Sequence, residues 1–300
     1  MPNLVGIGNT QVPTNAMLGG LAYQDSTNAT LESVQIQNIS QIKSEISRTA
    51  KAVFVYDTRK DTDGGAWRHR CSDKSWYQQP LNTNTRGSRR EFPAVAILVC
   101  LAGENGIDFV IYDADQPHCP MWMVFQFNNG SGTNRDIHAC NGVIAYATSA
   151  NGSPYVDLLL DQITYHNTAH RHETSPIYPS NQPSVKEWAT LNHTGYGFPS
   201  VSSYEVYCKV MPDAVNYRQR GLLMPDILFS TSAGMAHLKS NGVVYTHVYS
   251  SFTHRFSKFT QHGLIVTAMD NSYYGKWINM YPALTANRTT DYGGSGTNTY

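Results

Sequence analysis

Apolar positions along this chain gather into short runs separated by turn-forming residues, the pattern of strands rather than helices. The clearest early runs are Ala52 to Tyr56, Ala94 to Cys100, Asp108 to Tyr112 and Met121 to Phe125. Ile137 to Thr148 predicts a strand around Asn141-Gly142, and the run Tyr155 to Leu160 follows it. Beyond residue 200 the rhythm sharpens. Tyr204 to Met211 alternates, then Asp226 to Ser230 and Gly234 to Leu238 follow, and Ser240-Asn241-Gly242 predicts a hairpin before Val243 to Val248. Four strands in such close succession match one four-stranded propeller blade. A second cycle runs through Phe252 to Phe256, Gly263 to Ala268 and Tyr274 to Met280. The expected fold class is all-β, a β-propeller-like domain over residues 51–290. The repeats are weak in letters, so a sandwich, an irregular all-β domain and a ring incomplete within these residues stand as alternatives.

The first 50 residues read differently. Gly6, Gly8, Pro13, Gly19 and Gly20 lie among small polar residues with little periodicity, which predicts an extended arm that orders on a partner. Ile36, Ile39, Ile42 and Ile46 then fall at helical spacing and predict one short amphipathic helix. Its stripe packs either on the domain behind it or on further copies of itself. Leu18, Leu21 and Tyr23 of the arm, with Ile39, Ile42 and Ile46 of the helix, are the candidate assembly interface. Residues 291–300 are rich in Gly, Ser, Thr and Asn and read as a linker or tail.

Composition narrows the partners. Lys plus Arg (22) equals Asp plus Glu (22), so no global field draws the protein to nucleic acid or anionic lipid. Charged residues make up only 15% of the chain, while Tyr, Asn, Thr and Ser abound, a mixture suited to assemblies and polar ligands. The five cysteines form no Cys-x-x-Cys pair, so neither a zinc site nor a disulfide framework is expected. Cys100 and Cys140 read as inert core thiols. The start Met1-Pro2-Asn3 does not resemble a signal peptide. No apolar run approaches the roughly 20 residues of a membrane helix, so membrane insertion is not expected.

Between the first two strands runs a charged, aromatic excursion. It contains Asp57 to Gly65, Ala66-Trp67-Arg68-His69-Arg70, Ser75-Trp76-Tyr77 and Thr85-Arg86-Gly87-Ser88-Arg89-Arg90-Glu91-Phe92-Pro93. Its polarity argues against core, and its aromatics argue against a plain linker. Trp67, Arg68, Trp76, Tyr77, Arg86, Arg89 and Arg90 are therefore the candidate contact loop. Tyr165, Tyr178, Trp188, Tyr196 and Tyr273-Tyr274 also fall in loop-like contexts, where a ring can stack on a sugar or anchor an interface. Trp122, inside an apolar run, reads as core.

The wording of this excursion, with Val53 to Thr58 before it, resembles a family of virion structural proteins of marine tailed phages, cyanophages especially. Asn3 to Gly8, Leu18 to Gln24, Ile111 to Asp115 and Pro120 to Phe125 agree with it. The resemblance is specific up to about Phe125 and only patterned beyond. It implies a virion component of the tail, fibre- or adaptor-like. Such a component joins other tail proteins through the N-terminal arm, is present in several copies, and exposes loops toward a host surface glycan.

Candidate chemistry is sparse. His166, His170, His172 and Glu173 are the best metal candidates, but no single secondary structure aims all four inward, and a polar loop is the preferred reading. Residues 164–200 as a whole read as a long polar insertion. Asp57, Asp61, Asp63, Asp113 and Asp115 lie at spacings that suit turn chemistry better than a calcium loop or a glycosidase pair. The basic cluster of Arg68, Arg70, Arg86, Arg89 and Arg90 is expected to pair with nearby aspartates or a neighbouring subunit rather than nucleic acid. No cofactor motif is present, and a noncatalytic role is expected. The alternatives from other classes are a glycosidase or lyase on a propeller, and a host-glycan lectin.

Overall fold

A computed structural model describes residues 50–101, 109–125, 133–149, 152–177, 189–192, 197–249, 253–271 and 275–290. The candidate interface of Leu18, Leu21, Tyr23, Ile39, Ile42 and Ile46, and the tail 291–300, lie outside the described residues.

The described chain is all-β, arranged as four sheets that follow one another in sequence. The first sheet is a meander of β1 (Ala50–Asp57), β2 (Val95–Leu101), β3 (Phe109–Asp113) and β4 (Met121–Phe125). The second runs through β5 (Asn134–Cys140), β6 (Val143–Thr148), β7 (Ser153–Asp157), β8 (Gln162–His166), β9 (His170–Thr174) and β10 (Ala189–Asn192). The third is β11 (Ser203–Lys209), β12 (Asp226–Thr231), β13 (Gly234–Leu238) and β14 (Val244–Tyr249). The fourth is β15 (Thr253–Phe259), β16 (Ile265–Asn271) and β17 (Gly275–Tyr281); β18 (Arg288–Thr290) then returns to pair with β14 in parallel. One short helix, α1 (Ser75–Gln78), lies in the β1–β2 connection.

Side-chain alternation explains the stacking. In the second sheet Ile144, Tyr146 and Val156 face the core shared with the first sheet, while Val143, Ala145, Ala147 and Tyr155 face the core shared with the third. In the third, Ile227, Phe229, Ala236 and Leu238 face the second sheet, whereas Leu228 and Met235 face Phe259 and Ile265 of the fourth. A strand covered on both faces must be apolar at odd and even positions alike. That is why β3, β7 and β13, the third strand of their sheets, are buried at every residue.

The first strands lie side by side: β1 against β5, β5 against β11, β11 against β15. Each carries a bulge near its start, after the first pair in β1, β5 and β11 and after the second in β15, which leaves Lys51, Arg135, Tyr204 and Arg255 as the extra residues. No closed ring of sheets is seen among the described residues. The single strand expected around Asn141-Gly142 is corrected to the β5–β6 hairpin, because both turn residues take positive φ, 49° and 74°. The expected blade is β11 to β14, and the second cycle is β15 to β17. The expectation of a polar insertion over 164–200 is corrected in part, because β8, β9 and β10 extend the second sheet there.

Candidate functional site

The excursion between β1 and β2 is a plug and not a free contact loop, which corrects the reading of Trp67, Trp76 and Arg86 as exposed. Trp67 and Trp76 have 0% of their surface exposed and Arg86 has 1%. The rings form one chain: Trp67 to Phe92 at 5.3 Å between centroids, Phe92 to Trp122 at 4.9 Å, and Trp122 to Trp76 at 5.6 Å. Each indole N–H finds an acceptor when buried, as it must. Trp67 donates to Asp61 at 2.8 Å, Trp76 to the Leu158 carbonyl at 2.8 Å, and Trp122 to the Glu91 carbonyl at 2.7 Å. The Arg86 guanidinium lies 4.4 Å from the Trp122 ring centre and donates to the Trp122 and Arg90 carbonyls at 2.9 and 2.6 Å. Burial, with Arg90 nearby, lowers its pKa to about 10. Gly87 is required beside it: a Cβ there would stand 2.0 Å from the Met121 carbonyl oxygen. Sequence polarity missed this because the charged groups bind backbone carbonyls, which no side-chain pattern displays.

The remaining contact-loop residues sit on the rim of the plug. Tyr77 and Arg89 are half-buried and Arg90 is exposed. Arg68 donates to the Phe92 carbonyl at 3.1 Å, and Arg90 to the Tyr77 carbonyl at 3.1 Å. Arg89 bridges Asp113 at 3.1 Å and Asp115 at 2.7 Å. Tyr165, grouped with the loop aromatics, is buried in β8; Tyr178, Trp188, Tyr196, Tyr273 and Tyr274 lie outside the described residues.

The aspartates hold turns. Asp57 accepts from Arg59 at 2.7 Å, and Asp63 from the Gly65 amide at 3.0 Å and Arg70 at 2.9 Å. Asp115 accepts from the Ala94 and Val95 amides at 2.6 and 2.9 Å. Asp61 is the deepest knot. It accepts from the Tyr56 hydroxyl at 2.6 Å, the Trp67 indole and the Asn141 amide at 2.8 Å, and Tyr56 in turn accepts from the Gly142 amide at 2.7 Å. Burial raises the Asp61 pKa and those hydrogen bonds oppose the rise. Arg220 continues the knot, pairing with both oxygens of Asp157 at 2.7 and 3.0 Å and donating to the Asn141 carbonyl at 2.7 Å.

The histidine group does not converge. His166 is buried with its ring 4.9 Å from Phe198, His170 and His172 are neighbours on β9 at 6.0 Å, and Glu173 is held by Arg171 and by Arg218 at 3.1 Å. Among the described residues no group of three or more His, Cys, Asp or Glu could hold a metal ion. None of the five cysteines is in a disulfide; Cys100 is buried and Cys140 half-buried.

The row of first strands is a site that sequence reading did not find. Position by position along the strands, equivalent residues meet across the sheets. Phe54, His138 and Tyr207 stack in turn at 4.2 and 4.5 Å, and the Lys258 ammonium lies 5.7 Å from the Tyr207 ring. Two residues earlier, Asp136 accepts from the Val206 amide at 3.0 Å and Glu205 from the Ser257 amide at 3.1 Å, so each carboxylate caps the open edge of the next first strand. At the bulges, Tyr204 has Arg135 4.4 Å and Arg255 4.5 Å from its ring centre. Burial, then the Asp136 charge, raises the Glu205 pKa to about 7. Burial lowers His138 to about 3, and the neutral ring accepts from the Cys208 amide at 3.3 Å. The only trace in the letters is a cation or tyrosine at the start of each sheet, visible once the four bulges are aligned.

No family model matches the chain, and no curated protein matches it. Two solved structures of Kluyveromyces lactis Hsv2p are similar at 12% and 11% identity over 63% of this chain, each with a TM-score of 0.31. The match spans 47% and 46% of those chains, and at this level of likeness neither fold nor role transfers.

Proposed function

We propose that this chain is a noncatalytic structural component of a phage tail, an incomplete β-propeller that attaches to other tail proteins through residues 1–49. The propeller reading is supported by four sheets stacked in chain order, first strands side by side, with the same bulge in each. One observation supports the mechanical role most directly. Asp61, one of the aspartates weighed for chemistry in sequence, binds the Asn141 amide, and Arg220, paired with Asp157, binds the Asn141 carbonyl beside it, so these charges join turns of neighbouring sheets. The tail assignment comes from the family resemblance of residues 3–125. Antibody raised against residues 50–290 should label the tails of particles of the encoding phage. Label confined to soluble lysate would overturn the reading. Removing residues 1–49 should leave a folded protein that no longer enters particles.

A second reading, a carbohydrate-active enzyme, draws on the neighbouring carboxyls of Asp136 and Glu205, both with raised pKa. Shortening of host polysaccharide by the purified protein, abolished in Glu205→Gln, would favour it over the structural role.

A further inference from the structure

The bulges place three cations and one aromatic at equivalent positions of four successive sheets: Lys51, Arg135, Tyr204 and Arg255. We propose that this end of the row of first strands binds the carboxylate or sulfate groups of an acidic polysaccharide. The proposal rests on the reading of the chain as an attachment component and names what it attaches to.

A bulge takes its extra residue out of the ladder and re-aims the side chain, a device common beside binding sites. Here it does so four times in register. Both guanidiniums lie over the Tyr204 ring, a contact that uses no N–H acceptor, so the N–H groups not bonded to Ser202 and Ser203 are left for an oxyanion, which arginine binds best. Arg135 donates through Nη1 to the Ser202 hydroxyl and the Ser203 carbonyl, both at 3.1 Å, and these bonds orient it. Arg255 is 48% exposed and reaches Asp270 only at 3.7 Å, longer than a hydrogen bond. Lys51 is exposed.

Two of the nearby anions are already answered. Asp136 takes the Val206 amide; Glu205 takes the Ser257 amide and lies 3.7 Å from the Lys258 ammonium. The cations of the bulge row therefore keep their charge for a ligand. Because they recur from sheet to sheet, they suit an extended chain with repeating charges better than one small ion.

The test measures binding of the full chain to dextran sulfate, polygalacturonate and neutral dextran. Arg135→Gln/Arg255→Gln should weaken binding of the anionic polymers about tenfold or more. Arg59→Gln/Lys60→Gln, which removes the same charge from an exposed turn elsewhere, should change it by less than about twofold. Preference for dextran sulfate over polygalacturonate, or the reverse, assigns the site to sulfate or to carboxylate. Equal losses in both double variants, or no binding by the unaltered protein, overturn the site. Binding of neutral dextran alone overturns it while leaving attachment standing. Should the double variant unfold, the exposed single change Arg255→Glu carries the same expectation.

Discussion

The first and fourth sheets stand at opposite ends of the stack and are finished in opposite ways. The face of the first sheet that carries Ile111 is covered by the second sheet and by its own β1–β2 connection, folded in as an aromatic plug with Trp67, Trp76, Phe92 and Trp122 buried together. The fourth has three strands, and its third strand β17 carries Ile278 and Met280 at 78% and 61% exposure, where β3, β7 and β13 are wholly buried. The difference teaches that burial in this architecture is supplied by the neighbour. A strand with apolar residues becomes core only when another sheet or a connection lies over it.

The largest effect is expected where the cover itself is removed. Trp76→Ala deletes the ring between Trp122 and Tyr77 and frees the Leu158 carbonyl. A cost of about 3–5 kcal/mol in chemical denaturation is expected for an indole lost from a packed core. A cost under about 1 kcal/mol would mean the plug is peripheral, and the contrast between the two ends would fail.

The plug is also tied down by polar bonds, and these come next. Asp61→Ala would strand the Tyr56 hydroxyl, the Trp67 indole N–H and the Asn141 amide without their acceptor. Leaving buried donors unpaired should cost about 3 kcal/mol, while Asp61→Asn, which keeps one acceptor oxygen, should cost less. Equal costs for the two variants would show that packing, not acceptance, anchors the plug to the β5–β6 turn.

At the other end of the stack the joint between third and fourth sheets includes a titrating group. Glu205 is raised to about 7, so between the ordinary glutamate range and that value the folded protein holds a proton that the unfolded chain releases. Its contribution is present at low pH and lost as pH rises through about 7. His138, lowered to about 3, acts in the opposite sense, since its neutral form is favoured in the folded state and stability is lost as pH falls below the ordinary histidine value. The His138 effect is common to wild type and Glu205→Gln and cancels in their difference. Wild-type Tm minus variant Tm should therefore fall by a few degrees between pH 5 and pH 7.5, partial exposure of Glu205 moderating the size. A flat difference would mean Glu205 titrates as it does in the unfolded chain.

How far the letters reach follows the same division between what a strand does alone and what a neighbour does to it. The alternation of Tyr204 to Met211 and the Ser240-Asn241-Gly242 turn specify local geometry, so the third sheet is legible, whereas the single strand expected over Ile137 to Thr148 is a hairpin folded at Asn141-Gly142. Trp67 and Arg86 read as exposed because their partners, Asp61 and the Trp122 carbonyl, depend on tertiary contact or backbone acceptors. The bulge row was illegible for a further reason. Lys51, Arg135, Tyr204 and Arg255 have no letter common to all four and no fixed spacing, and only strand register makes them equivalent. The β8–β10 segment reads as insertion because His, Arg, Glu and Thr fill β9, where all but Glu173 are only half-buried.

The smallest expected effect is also the sharpest check on the opening contrast. Ile278 is a large β-branched residue in a strand, and by composition alone Ile278→Ser should damage a core. Its exposure says otherwise: little surface is transferred from water on folding, so the change should alter stability by less than about 0.5 kcal/mol. The same substitution at Ile111, in the first sheet's third strand, removes a fully buried side chain and places a hydroxyl in its stead. It should cost about 3 kcal/mol or more. Denaturation of the two variants side by side decides the matter. If Ile278→Ser is as damaging as Ile111→Ser, then β17 is covered in the folded protein, and the two ends of the stack are alike.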